Sequence, residues 1–275
     1  MTNDLYAVVG NPISHSKSPR IHSLFAQHAG EAVEYTAIQA PLDDFAGTVR
    51  NFFDHGGMGL NVTVPFKEQA WSLAQRRTPE AEKAGAANTL WIDSEGRLMA
   101  DNTDGKGLVT DLIRNHRVDL RDKRILVLGA GGAVRGVLGP LIAAQPAAIT
   151  LTNRTVSKAR ALVDLFRAGA GQTTLSAHGF EEVDSAFDVI INGTSASLQG
   201  DLPPISATVI GADTVVYDMM YSPTTTTFNQ WALDLGATRV FDGLGMLVEQ
   251  AAESFCIWRG VRPETAAVMD ILRND

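Results

Sequence analysis

A strand, a glycine-rich turn and a helix follow one another between Ile125 and Ile142, and this segment constrains the fold more than any other. Residues 125–128 are consecutive apolar residues, as in a buried strand, and they lead into a turn with three glycines. Helical spacing then relates five apolar side chains, Val134, Val137, Leu138, Leu141 and Ile142. This order is typical of the βαβ unit that binds dinucleotides.

The glycine turn predicts a pyrophosphate site. Glycine lets the backbone turn tightly and approach a ligand, and the free amides at the helix N-terminus bind the anion. The usual third glycine is absent, because Val134 stands at its position. The alternative is a glycine-rich turn without a ligand, which the βαβ context disfavours. The predicted cofactor contacts are Gly129, Ala130, Gly131, Gly132 and Ala133.

The residues after the next predicted strand favour NADP over NAD. NAD sites usually carry an acidic residue there, which holds the ribose 2′-hydroxyl. This chain instead has Arg154, whose planar donors suit a 2′-phosphate. The alternative is a solvated basic surface at a helix start. The predicted contacts in this stretch are Asn153, Arg154, Thr155, Ser157 and Lys158.

Strand-like and helix-like segments alternate along the whole chain of 275 residues, which predicts an α/β fold with mostly parallel sheets covered by helices. Two series of such segments occur, and the second begins near Asp101. A chain of this length forms one large domain or two smaller ones.

Composition excludes several classes of function. The net charge is 23 − 31 = −8, which argues against nucleic acid or an anionic membrane as the main partner. One cysteine, Cys256, favours a reducing compartment, and the absence of Cys/His clusters with zinc spacing predicts no metal site. Without a signal-like N-terminus or a long apolar run, we expect a soluble, cytoplasmic protein.

Polar residues cluster in the turns of the first series. Residues 58–64 read as a strand that Pro65 closes, and alternation would place Asn61 and Thr63 on one face of it. Lys67 follows at a predicted helix start, where a cation does not suit the helix dipole. Taken singly, such residues have structural explanations: Asn88 as a turn former and Asp104 as a helix N-cap.

Seven motifs occur in order along nearly the whole chain. They are Asn11-Pro12-Ile13-Ser14-His15-Ser16, Gly59-Leu60-Asn61-Val62-Thr63-Val64-Pro65-Phe66-Lys67, Gly85-Ala86-Ala87-Asn88-Thr89, Asn102-Thr103-Asp104-Gly105, Gly129-Ala130-Gly131-Gly132-Ala133, Asn153-Arg154-Thr155 and Asp242-Gly243-Leu244-Gly245-Met246-Leu247. Through these motifs the chain resembles the shikimate dehydrogenase family.

The resemblance implies reversible hydride transfer between 3-dehydroshikimate and NADPH. It places Lys67 and Asp104 on either side of the reacting hydroxyl, and Lys67 is our hypothesis for the proton-transfer group. The implied substrate contacts are Ser14 and Ser16 for the carboxylate, Asn61, Thr63, Asn88 and Gln250 for the ring hydroxyls, and Tyr221. Met219, Gly243 and Met246 match positions around the nicotinamide.

The resemblance also implies two α/β domains with a cleft between them. Residues 1–104 and 245–275 would form the substrate-binding, catalytic domain with a mainly parallel sheet, to which the C-terminal helices return. Residues 105–244 would form a Rossmann-like NADP-binding domain. The partners would be small molecules, and the protein would be a monomer or a homodimer.

Two rival functions stay open at this point. A quinate/shikimate dehydrogenase would accept quinate, and often NAD, but the stretch around Arg154 argues against NAD. A non-catalytic NADP-binding protein would need neither Lys67 nor Asp104. One departure from the family pattern is the run Thr224-Thr225-Thr226-Thr227, where relatives often have a proline.

Overall fold

The computed structural model describes residues 3–194 and 201–275, which divide into two units. The first unit comprises Met1–Gly107 and Val248–Asp275, and the second comprises Leu108–Leu247. The boundaries expected from the sequence lie three residues before these. Each unit contains a six-stranded sheet with helices, so the predicted α/β fold class is confirmed.

The sheet of the first unit is mixed, with strand order β2-β1-β3-β5-β6-β4. Its strands are β1 (Asp4–Gly10), β2 (Val33–Gln39), β3 (Gly57–Val62), β4 (Arg76–Arg77), β5 (Thr89–Ile92) and β6 (Leu98–Asp101). β5 runs antiparallel to both neighbours, and the other pairs are parallel. A tight turn reverses the chain between β5 and β6: the Gly96 amide donates to the Asp93 carbonyl at 3.0 Å, and Gly96 has φ 77°.

Ten α-helices lie in the described residues. They are α1 (Ser18–Ala29), α2 (Phe45–Asp54), α3 (Lys67–Leu73), α4 (Pro79–Ala84), α5 (Asp104–Thr110), α6 (Gly132–Ala143), α7 (Val156–Arg167), α8 (Thr227–Asp234), α9 (Leu244–Arg259) and α10 (Ala266–Asn274). A π-helical turn, Asp111–Asn115, follows α5 directly. Among the described residues, none of the helices has the length and apolar character that crossing a bilayer requires.

The C-terminal part of α9 packs on the sheet of the first unit. The Trp258 indole covers Gly59 so closely that a Cβ there would lie 2.5 Å from the indole nitrogen. That nitrogen donates to the Leu90 carbonyl at 3.2 Å. Arg259 adds ion pairs with Asp4 and Glu31. These contacts hold the preceding turns of α9, which carry Gln250 and Ser254, against the sheet.

The sheet of the second unit is entirely parallel, with strand order β12-β11-β10-β7-β8-β9. Its strands are β7 (Arg124–Leu128), β8 (Ala148–Thr152), β9 (Thr174–His178), β10 (Phe187–Asn192), β11 (Ile210–Asp218) and β12 (Arg239–Asp242). From β7 the chain adds β8 and β9 on one side, then returns to add β10, β11 and β12 on the other side of β7. The direction in which strands are added therefore reverses between β7 and β10. The carboxyl ends of strands at such a switch point form a ligand-binding crevice.

The strand–turn–helix predicted from Ile125 to Ile142 is confirmed as β7 and α6. The stripe of Val134, Val137, Leu138, Leu141 and Ile142 is buried in the core of the second unit. Burial of these side chains against β7 and β8 orients α6 with its N-terminus at the end of β7. The sequence thus positions the glycine turn at the switch point of the sheet.

Candidate active site

Lys67 and Asp104 form an ion pair in the first unit. Lys67 is the first residue of α3 and Asp104 the first residue of α5, and Lys67 Nζ lies 2.5 Å from Asp104 Oδ2. The Lys67 side chain is 32% exposed and that of Asp104 11%. The ammonium group therefore remains accessible to a ligand, whereas the carboxylate is largely enclosed. Asn102 Oδ1, rather than Asp104, accepts the first amide of the helix at 3.2 Å.

Asn88 connects this ion pair to α9. Its side-chain nitrogen lies 2.9 Å from Asp104 Oδ1, 2.9 Å from Thr103 Oγ1 and 3.0 Å from Gln250 Oε1. Gln250 is 162 residues from Asn88 in the sequence, and packing of α9 on the sheet brings them together. Four predicted site residues, Lys67, Asn88, Asp104 and Gln250, thus form one hydrogen-bonded cluster.

Asn61 lies next to this cluster but is bonded within the protein. Its side-chain nitrogen donates to the Asn88 carbonyl at 3.1 Å and to Ser254 Oγ at 2.9 Å, and its Oδ1 accepts from the Tyr35 hydroxyl at 2.7 Å. Both amide protons and the side-chain carbonyl therefore have protein partners. A contact between Asn61 and a substrate hydroxyl stays a prediction.

Thr63 lies beyond the end of its predicted strand. β3 ends at Val62, so the expectation of a strand through residue 64 was wrong at this end. The loop that follows packs on the end of β1 instead: the Thr63 amide donates to the Val9 carbonyl at 2.9 Å. The Thr63 methyl group lies beside Gly10, so closely that a Cβ on Gly10 would be 2.5 Å from it.

The loop with Ser14 and Ser16 adjoins the loop with Thr63. The backbone amide of Asn11 donates to the backbone carbonyl of Val64 at 3.0 Å, and this bond connects the two loops. Ser14 is exposed, and Ser16 is half-buried with its Oγ 3.3 Å from the Ser18 amide. Both hydroxyl groups are available to a ligand, as their predicted role requires.

The glycine turn in the second unit leaves space for an anion at the N-terminus of α6. Gly129 has φ 106°, and a Cβ there would lie 3.2 Å from the backbone of Gly193, so this position requires glycine. A Cβ at Gly131 or Gly132 would meet nothing within 4 Å. Residues 131–133 are exposed. This open, amide-rich helix end fits a pyrophosphate.

Gly193 compensates for the missing third glycine, and sequence reasoning missed it. Val134 is fully buried, and a Cβ on Gly193 would lie 2.5 Å from a Val134 methyl carbon. The close approach between α6 and the sheet is therefore made by a glycine after β10 rather than by one within the turn. The only local signal was the pair Asn192-Gly193 directly after an apolar run.

A basic cluster lies at the start of α7. Arg154, Thr155, Ser157 and Lys158 are exposed, and the Asn153 side chain donates to the Thr155 carbonyl at 2.9 Å. In the part of the chain that the structure describes, no acidic side chain pairs with Arg154 or Lys158. Two cations beside a helix N-terminus create a favourable position for a phosphate.

The predicted nicotinamide contacts Met219 and Gly243 directly follow β11 and β12, and Met246 lies in the first turn of α9. Met219 is buried, and a Cβ on Gly243 would lie 2.1 Å from the Met219 carbonyl oxygen, so only glycine fits there. Met246 and Tyr221 are half-buried. Burial raises the pKa of the Tyr221 hydroxyl, which therefore remains protonated and able to donate at neutral pH.

A buried pair supports this region and was not found from the sequence. The Tyr217 hydroxyl donates to Asp111 Oδ2 at 2.7 Å, and both side chains are fully buried. Burial and the Asp111 charge raise the pKa of Tyr217 well above its usual value. A Cβ on Gly245 would lie 2.0 Å from Asp111 Oδ1, so the carboxylate packs against the first turn of α9. The helical pattern of the sequence gave no sign of this contact.

Comparisons with known proteins match both units. A family model described as shikimate dehydrogenase substrate binding domain matches residues 8–90. A model for shikimate / quinate 5-dehydrogenase matches residues 111–199. A model for the shikimate 5′-dehydrogenase C-terminal domain matches residues 243–273.

Complete proteins are also similar over their whole length. Shikimate dehydrogenase (NADP(+)) of Marinobacter nauticus is 73% identical over 275 residues, which cover 100% of both chains. The structure of an Ael1 enzyme from Pseudomonas putida is 45% identical, with a TM-score of 0.93 and 98% of each chain covered. Shikimate 5-dehydrogenase from Thermus thermophilus, solved with NADP(H) and shikimate, is 30% identical with a TM-score of 0.86, covering 98% of this chain and 99% of that one.

Proposed function

The chain belongs to the shikimate dehydrogenase family, and on that premise we propose that it catalyses the reversible NADPH-dependent reduction of 3-dehydroshikimate to shikimate. This is a step of the shikimate pathway, which leads to chorismate and the aromatic amino acids. The observation that carries the proposal is the cluster of Lys67, Asp104, Asn88 and Gln250, which gathers charged and amide groups from separate parts of the chain. Such a cluster suits a polyhydroxylated substrate.

We propose that the Lys67–Asp104 pair moves the proton of the reacting hydroxyl. During oxidation of shikimate, the hydroxyl proton leaves for a base, and in the reverse direction an acid protonates the forming alkoxide. Lys67 is the more accessible member of the pair, and Asp104 holds its ammonium group at 2.5 Å. Lys67 therefore exchanges the proton with the substrate, while Asp104 orients it and stabilises its charge.

The other predicted site residues of the first unit have roles in binding. Asn88 and Gln250 offer amide groups to ring hydroxyls next to the ion pair. Ser14 and Ser16 offer hydroxyl groups to the carboxylate of the substrate, with Thr63 on the adjoining loop. Tyr221 supplies a neutral phenol as a further contact. These assignments rest on the family motifs and, except for the buried Asn88, on the exposure of each group.

NADP fits the second unit. NADP⁺ supplies the hydride acceptor when it is bound. The α6 N-terminus with Gly131 and Gly132 receives the pyrophosphate, because the space in front of its amides is open. Arg154 and Lys158 bind the 2′-phosphate. Met219, Gly243 and Met246 contact the nicotinamide.

The rival substrate is quinate, since one matching family model covers shikimate and quinate dehydrogenases together. The deciding experiment is a spectrophotometric assay of NADP⁺ and NAD⁺ reduction with shikimate and with quinate. We expect activity with shikimate and NADP⁺ that exceeds every other combination at least tenfold. Comparable rates with quinate or NAD⁺ would favour the rival, and no activity with any combination would favour a non-catalytic NADP-binding protein.

We also propose that the protein works on small molecules in the cytoplasm, as a monomer or homodimer. The net charge of −8 supports a small-molecule ligand rather than nucleic acid or an anionic membrane. Cys256 is the single cysteine of the sequence, which suits a reducing compartment. Size-exclusion chromatography with light scattering determines the oligomeric state, and an assembly larger than a dimer would contradict the proposal.

A further inference from the structure

A chain of buried hydrogen bonds leads through the first unit to Asn88. The Tyr35 hydroxyl bonds to Asn61 Oδ1 at 2.7 Å, and Asn61 Nδ2 bonds to Ser254 Oγ at 2.9 Å. Ser254 Oγ lies 2.7 Å from Thr89 Oγ1, which lies 2.9 Å from Asn88 Oδ1. All five residues are buried, and Thr89 and Ser254 are completely so. Solvent therefore does not compete for these groups.

Two backbone groups fix the orientation of both amides. The Asn88 backbone carbonyl only accepts hydrogen bonds, so the Asn61 atom 3.1 Å from it is the side-chain nitrogen. The Thr103 backbone amide only donates, so the Asn88 atom 2.9 Å from it is Oδ1. Asn88 Nδ2 consequently faces Asp104 and Gln250, as the distances in the site require.

The directions of the Thr89 and Tyr35 hydroxyl protons follow from these two orientations. Asn88 Oδ1 only accepts, so Thr89 donates its single proton to it. Ser254 accepts from Asn61 and has two acceptors for its own proton, Thr89 Oγ1 at 2.7 Å and the Gln250 carbonyl at 3.2 Å, and the Tyr35 hydroxyl donates to Asn61. Burial raises the pKa of Tyr35 well above its usual value, so this phenol keeps its proton. The Thr89 proton therefore points towards Asn88.

We propose that Thr89 is a positioning residue for the substrate site: its hydroxyl proton adds to the Thr103 amide as a second donor to Asn88 Oδ1, and together they hold the amide nitrogen of Asn88 towards Asp104 and the bound ring hydroxyls. The inference rests on the proposed function, because it assigns Asn88 to substrate binding. Thr89 touches neither substrate nor cofactor in this proposal. It acts through Asn88, its neighbour in the chain, at the start of β5.

In the variant Thr89→Val, the hydrogen-bond partners of the lost hydroxyl keep other partners. Without the Thr89 hydroxyl, Asn88 Oδ1 keeps the Thr103 amide as a donor, and the Ser254 proton has the Gln250 carbonyl as an acceptor at 3.2 Å. The substitution therefore leaves no buried donor or acceptor of these residues without a partner. The hydroxyl lies 2.7 Å from Ser254 Oγ and 2.9 Å from Asn88 Oδ1, which is closer than a methyl group can approach, so the free energy of unfolding of Thr89→Val is measured by urea titration beside the kinetics.

The first measurement is steady-state kinetics of wild type, Thr89→Val and Thr89→Ser. We expect Thr89→Val to raise KM for shikimate about 3–10-fold, the effect of one neutral hydrogen bond. Because Lys67 and Asp104 keep their own direct contact, we expect kcat and KM for NADP⁺ to change less than about twofold. Thr89→Ser keeps the hydroxyl and restores KM. The matched control is Thr173→Val, which removes a buried hydroxyl that donates to the Pro146 carbonyl in the second unit.

A binding cycle then tests whether Thr89 acts through Asn88. Calorimetric titration with shikimate, which needs no turnover, gives Kd for wild type, Thr89→Val, Asn88→Ala and the double variant. We expect Thr89→Val to weaken binding in the wild-type background and to have no further effect in the Asn88→Ala background. An equal effect in both backgrounds would overturn the inference.

Three other results would also overturn it. The first is a KM for shikimate in Thr89→Val that is within twofold of wild type. The second is a KM for shikimate in Thr89→Ser that stays as high as in Thr89→Val. The third is a fall in kcat at unchanged KM in both Thr89→Val and the Thr173→Val control. A wild-type chain that does not act on shikimate would instead refute the proposed function, and the inference with it. The wild-type assay thus separates the two failures.

Discussion

Replacing Arg154 with alanine tests the assignment of NADP most directly. Arg154 is exposed at the start of α7, and no acidic side chain in the described part of the chain pairs with it. A charge-assisted hydrogen bond contributes about 1.5–3 kcal/mol. Because solvent and salt screen an exposed guanidinium, we take the lower part of that range, about 1.5–2 kcal/mol. At 1.4 kcal/mol per factor of ten, KM for NADP⁺ should rise about 10–30-fold.

The same substitution should leave KM for NAD⁺ within about twofold, because NAD⁺ has no 2′-phosphate. The assay follows absorbance at the reduced-nicotinamide band with shikimate at saturation, and each cofactor is varied in turn. Arg50→Ala, which removes an exposed arginine from α2, is the matched control. An equal loss with both cofactors, or an unchanged KM for NADP⁺, would refute the assignment of Arg154 to the 2′-phosphate.

Further outcomes follow from other parts of the molecule. Lys67→Ala should lower kcat by about 10²–10⁴-fold with a smaller change in KM, the contribution of a positioned acid–base group, and near-normal kcat would remove Lys67 from proton transfer. Gly243→Ala should lower Tm by about 3–10 °C in a thermal melt, because the new Cβ lies 2.1 Å from the Met219 carbonyl oxygen, whereas Gly131→Ala, with open space around its Cβ, should leave Tm unchanged. Burial lowers the pKa of His22 to about 3, against about 6.5 in the unfolded chain. Between pH 6.5 and pH 3, therefore, His22 is protonated in the unfolded state and neutral in the folded state. The free energy of unfolding should therefore fall by about 1.4 kcal/mol per pH unit more in wild type than in His22→Phe as the pH drops below 6.5; equal slopes in urea titrations at pH 6, 5.25 and 4.5 would contradict this.

Local patterns in the sequence were sufficient for the strand, glycine turn and helix of the second unit. The apolar run 125–128, the glycines and the helical stripe specify a strand, a turn and a helix within about 18 residues, and short-range periodicity determines each of them. The motif around Arg154 was also readable, because it follows β8 directly. The end of β3 was not predicted correctly, since the alternation continues to residue 64 but the strand ends at Val62.

The sequence by itself therefore determined which residues were candidates and on which elements they lie. Only the tertiary structure decided which of them meet. Asn88 and Gln250 are 162 residues apart, and the packing of Trp258 on Gly59 brings α9 to the sheet whose strand β5 begins directly after Asn88. The orientation of the Asn88 amide likewise depends on the Thr103 backbone, fifteen residues away. Such contacts leave no local periodicity in a sequence, because they arise from burial between elements that the chain connects only at long range.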